Sequence, residues 1–448
     1  MLESASRLKL CLLCDLSTPT AKMLKHSPPL PLIVDINSIY LDPDSSGNVI
    51  HALQHPDRVV SISIDTWAVD CWELLEALDK SFPALETFSL LVAQFERPNR
   101  LTLHFPQKFI SPRLHTLYLE NVNFFEVPSL LASAATSLVS VRIEQIEVCS
   151  YIPPDELVWC ISCMPRLEEL SICFLVSHRL PVSEREFWDT QITRTVLSSL
   201  RELTFGGDSA YLEKTIALVS TPLLQYFDVT FYSQPTLAVQ HISDFLSTIQ
   251  NLDFRAAAVS FSDTVAITYR PTNTSDSLSR LKFRIDDETD GLNQQVAILM
   301  QICAAVGLVL NAVEDVAIEF DRCYVPDDFA VRSELWHTIL RSFEALRTLR
   351  IDIALVPELS KVLYRDNGTA TEELLPMLSE LVVMSRIDLI HNPFASLIDA
   401  RSLAGRAINF QVIKRRNPPP QTSAGPFDAL YERNDSAMEQ DYANITLD

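Results

Sequence analysis

Apolar positions return along the chain in one recurring unit, L-x-x-L-x-L, where each L is Leu, Ile, Val or Phe. The unit reads as Val59-Ile62-Ile64, Leu85-Phe88-Leu90, Leu114-Leu117-Leu119, Leu138-Val141-Ile143, Leu167-Leu170-Ile172, Leu200-Leu203-Phe205 and Leu224-Phe227-Val229. It continues as Leu278-Leu281-Phe283, Val313-Val316-Ile318, Leu346-Leu349-Ile351 and Leu378-Leu381-Val383, with a weaker copy expected around Leu252. The last two apolar residues of a unit alternate with polar ones, as a strand buried on one face requires, and the first tucks under the turn that enters the strand. Proline precedes the unit by two residues at Pro83, Pro112, Pro165, Pro222 and Pro376. There its fixed φ suits a turn and its missing N–H spares a ladder that has not yet begun.

Between the units the apolar period lengthens to that of a helix. From Thr66 to Ser81 it groups Trp67, Cys71, Trp72, Leu74, Leu75 and Leu78 on one face. Helices are likewise expected over 153–164, 193–200, 239–252, 294–310 and 333–346. Strand followed by helix, repeated, predicts parallel strands joined by right-handed crossovers. A helix is wider than the strand spacing of about 4.8 Å, so stacked units bend into a horseshoe with the sheet inside and the helices outside. The steps between units, from about 24 to about 35 residues, fall at the upper end of the leucine-rich-repeat range and beyond it. The expected fold class is therefore α/β, a leucine-rich-repeat solenoid of about 11–12 irregular repeats. The position that holds Asn or Cys in many such repeats carries Ala93, Val122, Ile146, Leu175 and Tyr232 here, which points to a long, irregular subclass. A doubly wound α/β enzyme shares the alternation of strand and helix, but its sheet reverses strand order and its strand ends carry glycine loops.

The domain organisation expected from this pattern is an N-terminal capping segment at 1–37, a repeat domain at 38–416 and a flexible acidic tail at 417–448, where periodicity stops. Composition narrows the chemistry. The chain has 448 residues and only 8 glycines, against the roughly thirty that a usual share of about 7% would give. Loops that cradle phosphate with backbone are thus not expected, and Gly206-Gly207 reads as a turn after a strand. A net charge of −22 repels nucleic acid and anionic lipid, so neither is an expected partner. Nine scattered cysteines and the absence of a secretory or membrane-spanning pattern fit a reduced, intracellular protein. Cytoplasmic placement is expected, with the nucleus as the alternative offered by the basic run Lys414-Arg415-Arg416.

No catalytic residue, cofactor or metal site is expected. Cys11/Cys14 and Cys160/Cys163 both match C-x-x-C, the spacing of half a zinc site, but about five repeats separate them and the second pair lies on an apolar helix. The nine histidines stand singly, without the spacing of a metal or general-base pair. Function in a stacked repeat sits on the polar positions of the strands. The candidate partner-binding residues are Tyr118, Glu120, Arg142, Glu144, Glu169, Tyr226, Asp228, Arg280, Lys282, Arg284, Arg350 and Asp352. Tyrosine and arginine commonly anchor protein interfaces. The trio Arg280, Lys282 and Arg284 is a basic spot suited to an acidic or phosphorylated segment.

The layout from about Met23 to about Lys414 resembles the F-box/leucine-rich-repeat proteins of mushroom-forming, basidiomycete-type fungi. "LKHSPPLPLIVDIN" at 24–37 is similar to the segment that follows their F-box, and "SPRLHTLYLENV" and "MPRLEELSI" are similar to their repeats. The resemblance implies a non-catalytic substrate-recognition module of a ubiquitin-ligase receptor. No Leu-Pro-x-Glu-type F-box opening precedes Leu24, so binding to the adaptor of a cullin-type ligase is expected only where an F-box lies upstream. The alternative is a free-standing leucine-rich-repeat scaffold with no ligase link.

Overall fold

The computed structural model describes residues 11–26, 28–37, 43–67, 72–93, 106–122, 127–146, 152–175, 194–232, 234, 236–249, 254–262, 264–270, 280–286, 292–320, 332–365, 374–385 and 391–414. The expected tail at 417–448 and the residues Arg415 and Arg416 lie outside them. Strands are β1 (Leu12–Cys14), β2 (Leu32–Asn37), β3 (Val59–Trp67), β4 (Thr87–Ala93), β5 (Thr116–Glu120), β6 (Ser140–Ile146), β7 (Glu169–Phe174), β8 (Thr195–Val196) and β9 (Glu202–Gly207). They continue as β10 (Val219–Ser220), β11 (Tyr226–Tyr232), β12 (Ala256–Phe261), β13 (Thr264–Arg270), β14 (Arg280–Asp286), β15 (Asp315–Phe320), β16 (Thr348–Asp352), β17 (Glu380–Ser385) and β18 (Asn409–Lys414).

The protein is α/β. Among the described residues, sixteen strands form one open, mostly parallel sheet in the order β1-β2-β3-β4-β5-β6-β7-β9-β11-β14-β13-β12-β15-β16-β17-β18. The short β8 and β10 pair separately. The described part of the segment 1–37 supplies β1 and β2 to this same sheet.

The expected turn ahead of each unit has a definite form. The N–H groups of Leu85, Leu114, Leu167, Leu224 and Leu378 donate to the carbonyls of Phe82, Ser111, Met164, Thr221 and Leu375. Each bond closes a four-residue β-turn whose second residue is the proline, the position that its fixed φ prefers. The turn sets the register. Ile62, Phe88, Leu117, Val141, Leu170, Leu203, Phe227 and Leu281 then stand in one row, each paired with the next across the ladder. All of them are buried in one continuous core, where each contributes about 1.5–3 kcal/mol by leaving water.

Helices cover the core and pack in succession, Pro154–Ser162 on Ser209–Leu218, and Leu292–Ala305, Ser333–Arg341 and Val356–Arg365 one on the next. Polar links join them. Buried Glu213 accepts the N–H groups of His241 at 2.6 Å and Ile242 at 3.1 Å, supplying the cap that the helix Ile242–Ser247 lacks. No helix among the described residues is long and apolar enough to cross a membrane.

The chain departs from the pattern of its sequence at several points. The helix expected from Thr66 begins at Trp72: Thr66 and Trp67 extend β3, and Trp72 is half exposed where a core position was expected. Of the helix expected over 193–200, the described residues 194–200 hold the short strand β8 and a turn, because β-branched Thr195 and Val196 pair with Val219 and Ser220. Gly206 and Gly207 are the end of β9, paired with Thr230 and Phe231, and not a turn. A Cβ on Gly206 would lie 2.5 Å from the Tyr232 hydroxyl and 3.2 Å from the Cys173 sulfur, so glycine here makes room for a tyrosine.

The largest departure lies at the weak copy. Leu252 is outside the described residues, and the unit that forms is Phe254-Ala257-Val259, shifted by two. After β12 the chain turns back through β13, antiparallel to both neighbours, and only then lays β14 beside β11. The sheet therefore runs β11, β14, β13, β12, β15.

Candidate functional site

The face of the sheet opposite the apolar rows carries the polar positions of the units. One row crosses it as Tyr118, Arg142, Ser171, Thr204, Asp228, Lys282, Thr268 and Ala258, each paired with the next. Ten of the twelve sequence candidates, those from Tyr118 to Arg284, fall on β5, β6, β7, β11 and β14 in this part of the sheet. Arg350 and Asp352 sit apart on β16.

An acidic corner forms on β5 and β6. The Tyr118 hydroxyl donates to Glu120 and lies 3.4 Å from a Glu144 oxygen. Gln145 Nε2 donates to Glu120 at 2.6 Å, and Ser171 Oγ donates to Glu144 at 3.3 Å. Burial holds the Glu120 carboxyl above its ordinary range, aided by Glu144 and Asp65 and opposed by the Tyr118 hydrogen bond. The Tyr118 phenol is raised by burial first and then by Glu120 and Glu144. The alternating pattern of the sequence did not reveal Gln145, because it occupies an irregularity. Its φ of 53° is left-handed, and the β6–β7 register shifts between Ile143 and Ile146. Asn121, also left-handed at φ 59°, donates to the Gln145 side-chain oxygen at 3.0 Å.

The middle of the face is shallow. Cys173 pairs with Gly206, whose missing side chain leaves room for the Tyr232 hydroxyl, so the floor between β7 and β11 is built from small residues. Burial pushes the Cys173 thiol up to about 12, with nearby Glu144 adding to the effect. It is a protonated thiol, unsuited to nucleophilic work. To one side, Arg142 pairs loosely with Glu169 at 3.8 Å, and Ser140 Oγ donates to Glu169 at 2.8 Å.

A basic corner lies further along the same face, on β11 and β14. Asp228, 6% exposed at its side chain, accepts from Tyr226 Oη at 3.0 Å and from Arg284 Nη2 at 3.3 Å. Burial, and then the charge of Asp228, pushes the Tyr226 phenol up to about 12. Arg280 and Lys282 lie on the same strand with no ion-pair partner among the described residues. Burial lowers the Lys282 ammonium below its ordinary value; Arg284, Arg280 and Arg270 lower it further, and Asp228 opposes them. Arg270, at the end of β13, belongs to this corner, and the sequence reading missed it because β13 itself was missed.

Elsewhere Arg350 pairs with Asp315 at 2.7 Å. Asp352 is buried and accepts the Ala354 N–H at 3.0 Å, which caps the turn Ile353–Leu355 instead of presenting a binding group. The two C-x-x-C pairs lie at β1 and at the helix ahead of β7, with β2, β3, β4, β5 and β6 between them. No group of three or more His, Cys, Asp and Glu with metal-binding geometry occurs among the described residues. The chain matches no protein-family model and no curated protein.

Proposed function

We propose that the chain is a leucine-rich-repeat solenoid that acts as a non-catalytic protein-binding module, with the sheet's polar face as its recognition surface. The reading rests on one observation. The L-x-x-L-x-L positions stand in continuous rows over parallel strands laid in chain order from β3 to β11, and this leaves an opposite face of polar side chains, with Tyr118, Glu120, Arg142 and Glu144 half-buried on β5 and β6 and Ser171, Thr204 and Asp228 beyond them. A doubly wound enzyme would reverse its strand order near the middle and place its site at the strand ends. Among the described residues, the only inversion is the local meander of β12 to β14. Stacked strands and helices of unequal width favour a horseshoe, with the polar face on its inner side.

Within this reading, the resemblance to F-box receptors favours a role in selecting substrates for a ubiquitin ligase. The runner-up is a scaffold without that link. Affinity capture with three forms of the chain tests the module itself. A partner held by the wild type should be lost from the double variant Tyr118→Ala, Arg142→Glu. It should be retained by Trp159→Ala, whose side chain is 63% exposed on the helix Pro154–Ser162. Capture that survives the face variant and is lost with Trp159→Ala would contradict the proposal. Reconstitution with a cullin-ligase adaptor then separates the two roles, since only a receptor carrying an F-box should bind it.

A further inference from the structure

The basic corner is more specific than a charged patch. Arg280, Lys282 and Arg284 alternate along β14 and so project on one face. One of the three charges is answered by Asp228. The Nε groups of Arg280 and Arg284 are buried and meet no acceptor among the described residues, so the outer guanidinium nitrogens are what these two arginines offer a ligand on the face. Beside these long side chains the sheet is low: Thr268 and Ala266 stand opposite Lys282 and Arg284, and Ala258, Ser260 and Ala317 follow on the next strands. The reversal of β12 to β14 creates this step, since it brings the cationic strand against a strand of small residues.

The charge around the corner limits what can bind. Glu120, Glu144 and Glu169 lie toward β5, and Asp315, Glu319 and Glu380 lie toward β17. An extended polyanion crossing the face would meet carboxylates within a few strands on either side, and the net charge of −22 repels it at long range. A compact dianion meets only the corner. A phosphomonoester carries a charge of about −1.5 to −2 and three acceptor oxygens, which suits two Arg forks and a Lys better than a single carboxylate does.

We propose that Arg280, Lys282 and Arg284, with Arg270 at the rim, bind a phosphomonoester carried on an extended segment of a protein partner, the segment lying over Ala266, Thr268 and Ala258. The proposal rests on the polar face being an interaction surface and names the chemistry of its partner. Burial first, and then Arg284, Arg280 and Arg270, lower the Lys282 ammonium, and a bound dianion would offset the charge part of that effect.

The test uses the full chain and three degenerate peptide pools that differ at one fixed position: phosphoserine, serine or glutamate. Anisotropy should show the phosphoserine pool bound roughly 10- to 100-fold more tightly than the serine pool, as charge-assisted hydrogen bonds imply. Lys282→Glu and the milder Lys282→Gln should both abolish that preference while leaving the circular dichroism unchanged and the chain folded at the assay temperature. Equal binding of the pools, no binding of any pool, or a preference that persists in both variants would overturn the proposal. So would a single-stranded oligonucleotide or a phosphatidylserine vesicle that binds more tightly than the phosphoserine pool and needs Lys282. Phosphate-independent binding that is lost with Tyr118→Ala, Arg142→Glu would sink this site and leave the interaction module standing. Failure of the capture experiment would sink both.

Discussion

From β2 to β11 each strand of the large sheet lies beside the one before it, whereas from β12 to β14 the chain lays its strands in the opposite direction. The two regions use the same core chemistry and arrive at different surfaces. In the regular region, side chains that meet on the polar face come from adjacent units, as Tyr118 and Glu144 do at a separation of 26 residues. At the reversal, Arg284 reaches Asp228 across 56 residues. Even stacking therefore gives a graded face made of neighbouring units, while a local inversion juxtaposes a cationic strand, the strand that carries Asp228 and a strand of small residues. The inversion is held by the core. Val265, Ile267 and Tyr269 of β13 are buried against the rows on either side, so the extra strand costs the protein no exposed apolar surface.

The largest effect should come from unseating the reversal. Phe283 is fully buried on β14 and meets Phe227 edge-on at 5.9 Å between ring centroids. Phe283→Ala should cost about 3–5 kcal/mol in chemical denaturation. If the reversal is a cooperative part of the stack, the transition should stay single; two separated transitions would show that the regions unfold independently. Gly206→Ala comes next, at about 1–3 kcal/mol, because the new methyl collides with the Tyr232 hydroxyl. Adding Tyr232→Phe should recover part of the loss, and a double variant no better than the single would refute that account of the glycine.

The acidic corner offers a test by pH. Burial raises the folded Glu120 carboxyl above its unfolded value, so the native state binds more protons than the unfolded state between the two. The contribution of this group to stability is therefore present at low pH and is lost as pH rises through the folded value. Glu120→Gln should flatten that fall and leave the chain at least as stable as wild type at neutral pH, with the difference closing in acid. A variant that is less stable at neutral pH would reverse the sign. Tyr269→Phe probes the reversal more gently. The Tyr269 hydroxyl is buried without an acceptor among the described residues, so its removal should be neutral or stabilising by about 1 kcal/mol. Arg142→Ala should change stability by less than about 1 kcal/mol, since its pair with Glu169 is long and exposed.

Much of the skeleton was legible because turn and strand are written locally. A proline followed by a leucine two places later fixes a β-turn, and alternation then fixes which face is buried. Ten of the twelve face residues were read from that alternation alone, and they share strands β5 to β14. Asp352 obeys the same period but sits at a strand end, where its carboxylate bonds the backbone beyond it. Gln145 breaks the period, and the bulge that places it on the face comes from pairing with β7, which is not a local property. The alternation Val265, Ile267, Tyr269 marks β13 clearly, yet a rule of strand then helix leaves no room for it. In the sequence only two residues separate the alternating runs 256–261 and 264–270, and that spacing is the signal for a hairpin. Arg270 was missed with its strand, since a residue's neighbours across a sheet depend on strand order, and periodicity along the chain does not encode that order.

Strand order at the reversal is the central claim, because it builds the basic corner. Arg142, Lys282 and Ala258 stand in one row of the sheet. Four strand spacings separate Arg142 from Lys282, and six separate it from Ala258. Spin labels placed at these positions through non-natural amino acids, leaving the cysteines untouched, allow both distances to be measured by pulsed electron resonance. The expected distances are roughly 19 Å for the 142–282 pair and up to roughly 29 Å for the 142–258 pair, from a spacing of about 4.8 Å per strand. A longer distance to 282 than to 258 would mean that the strands follow one another in chain order, and the basic corner would not exist.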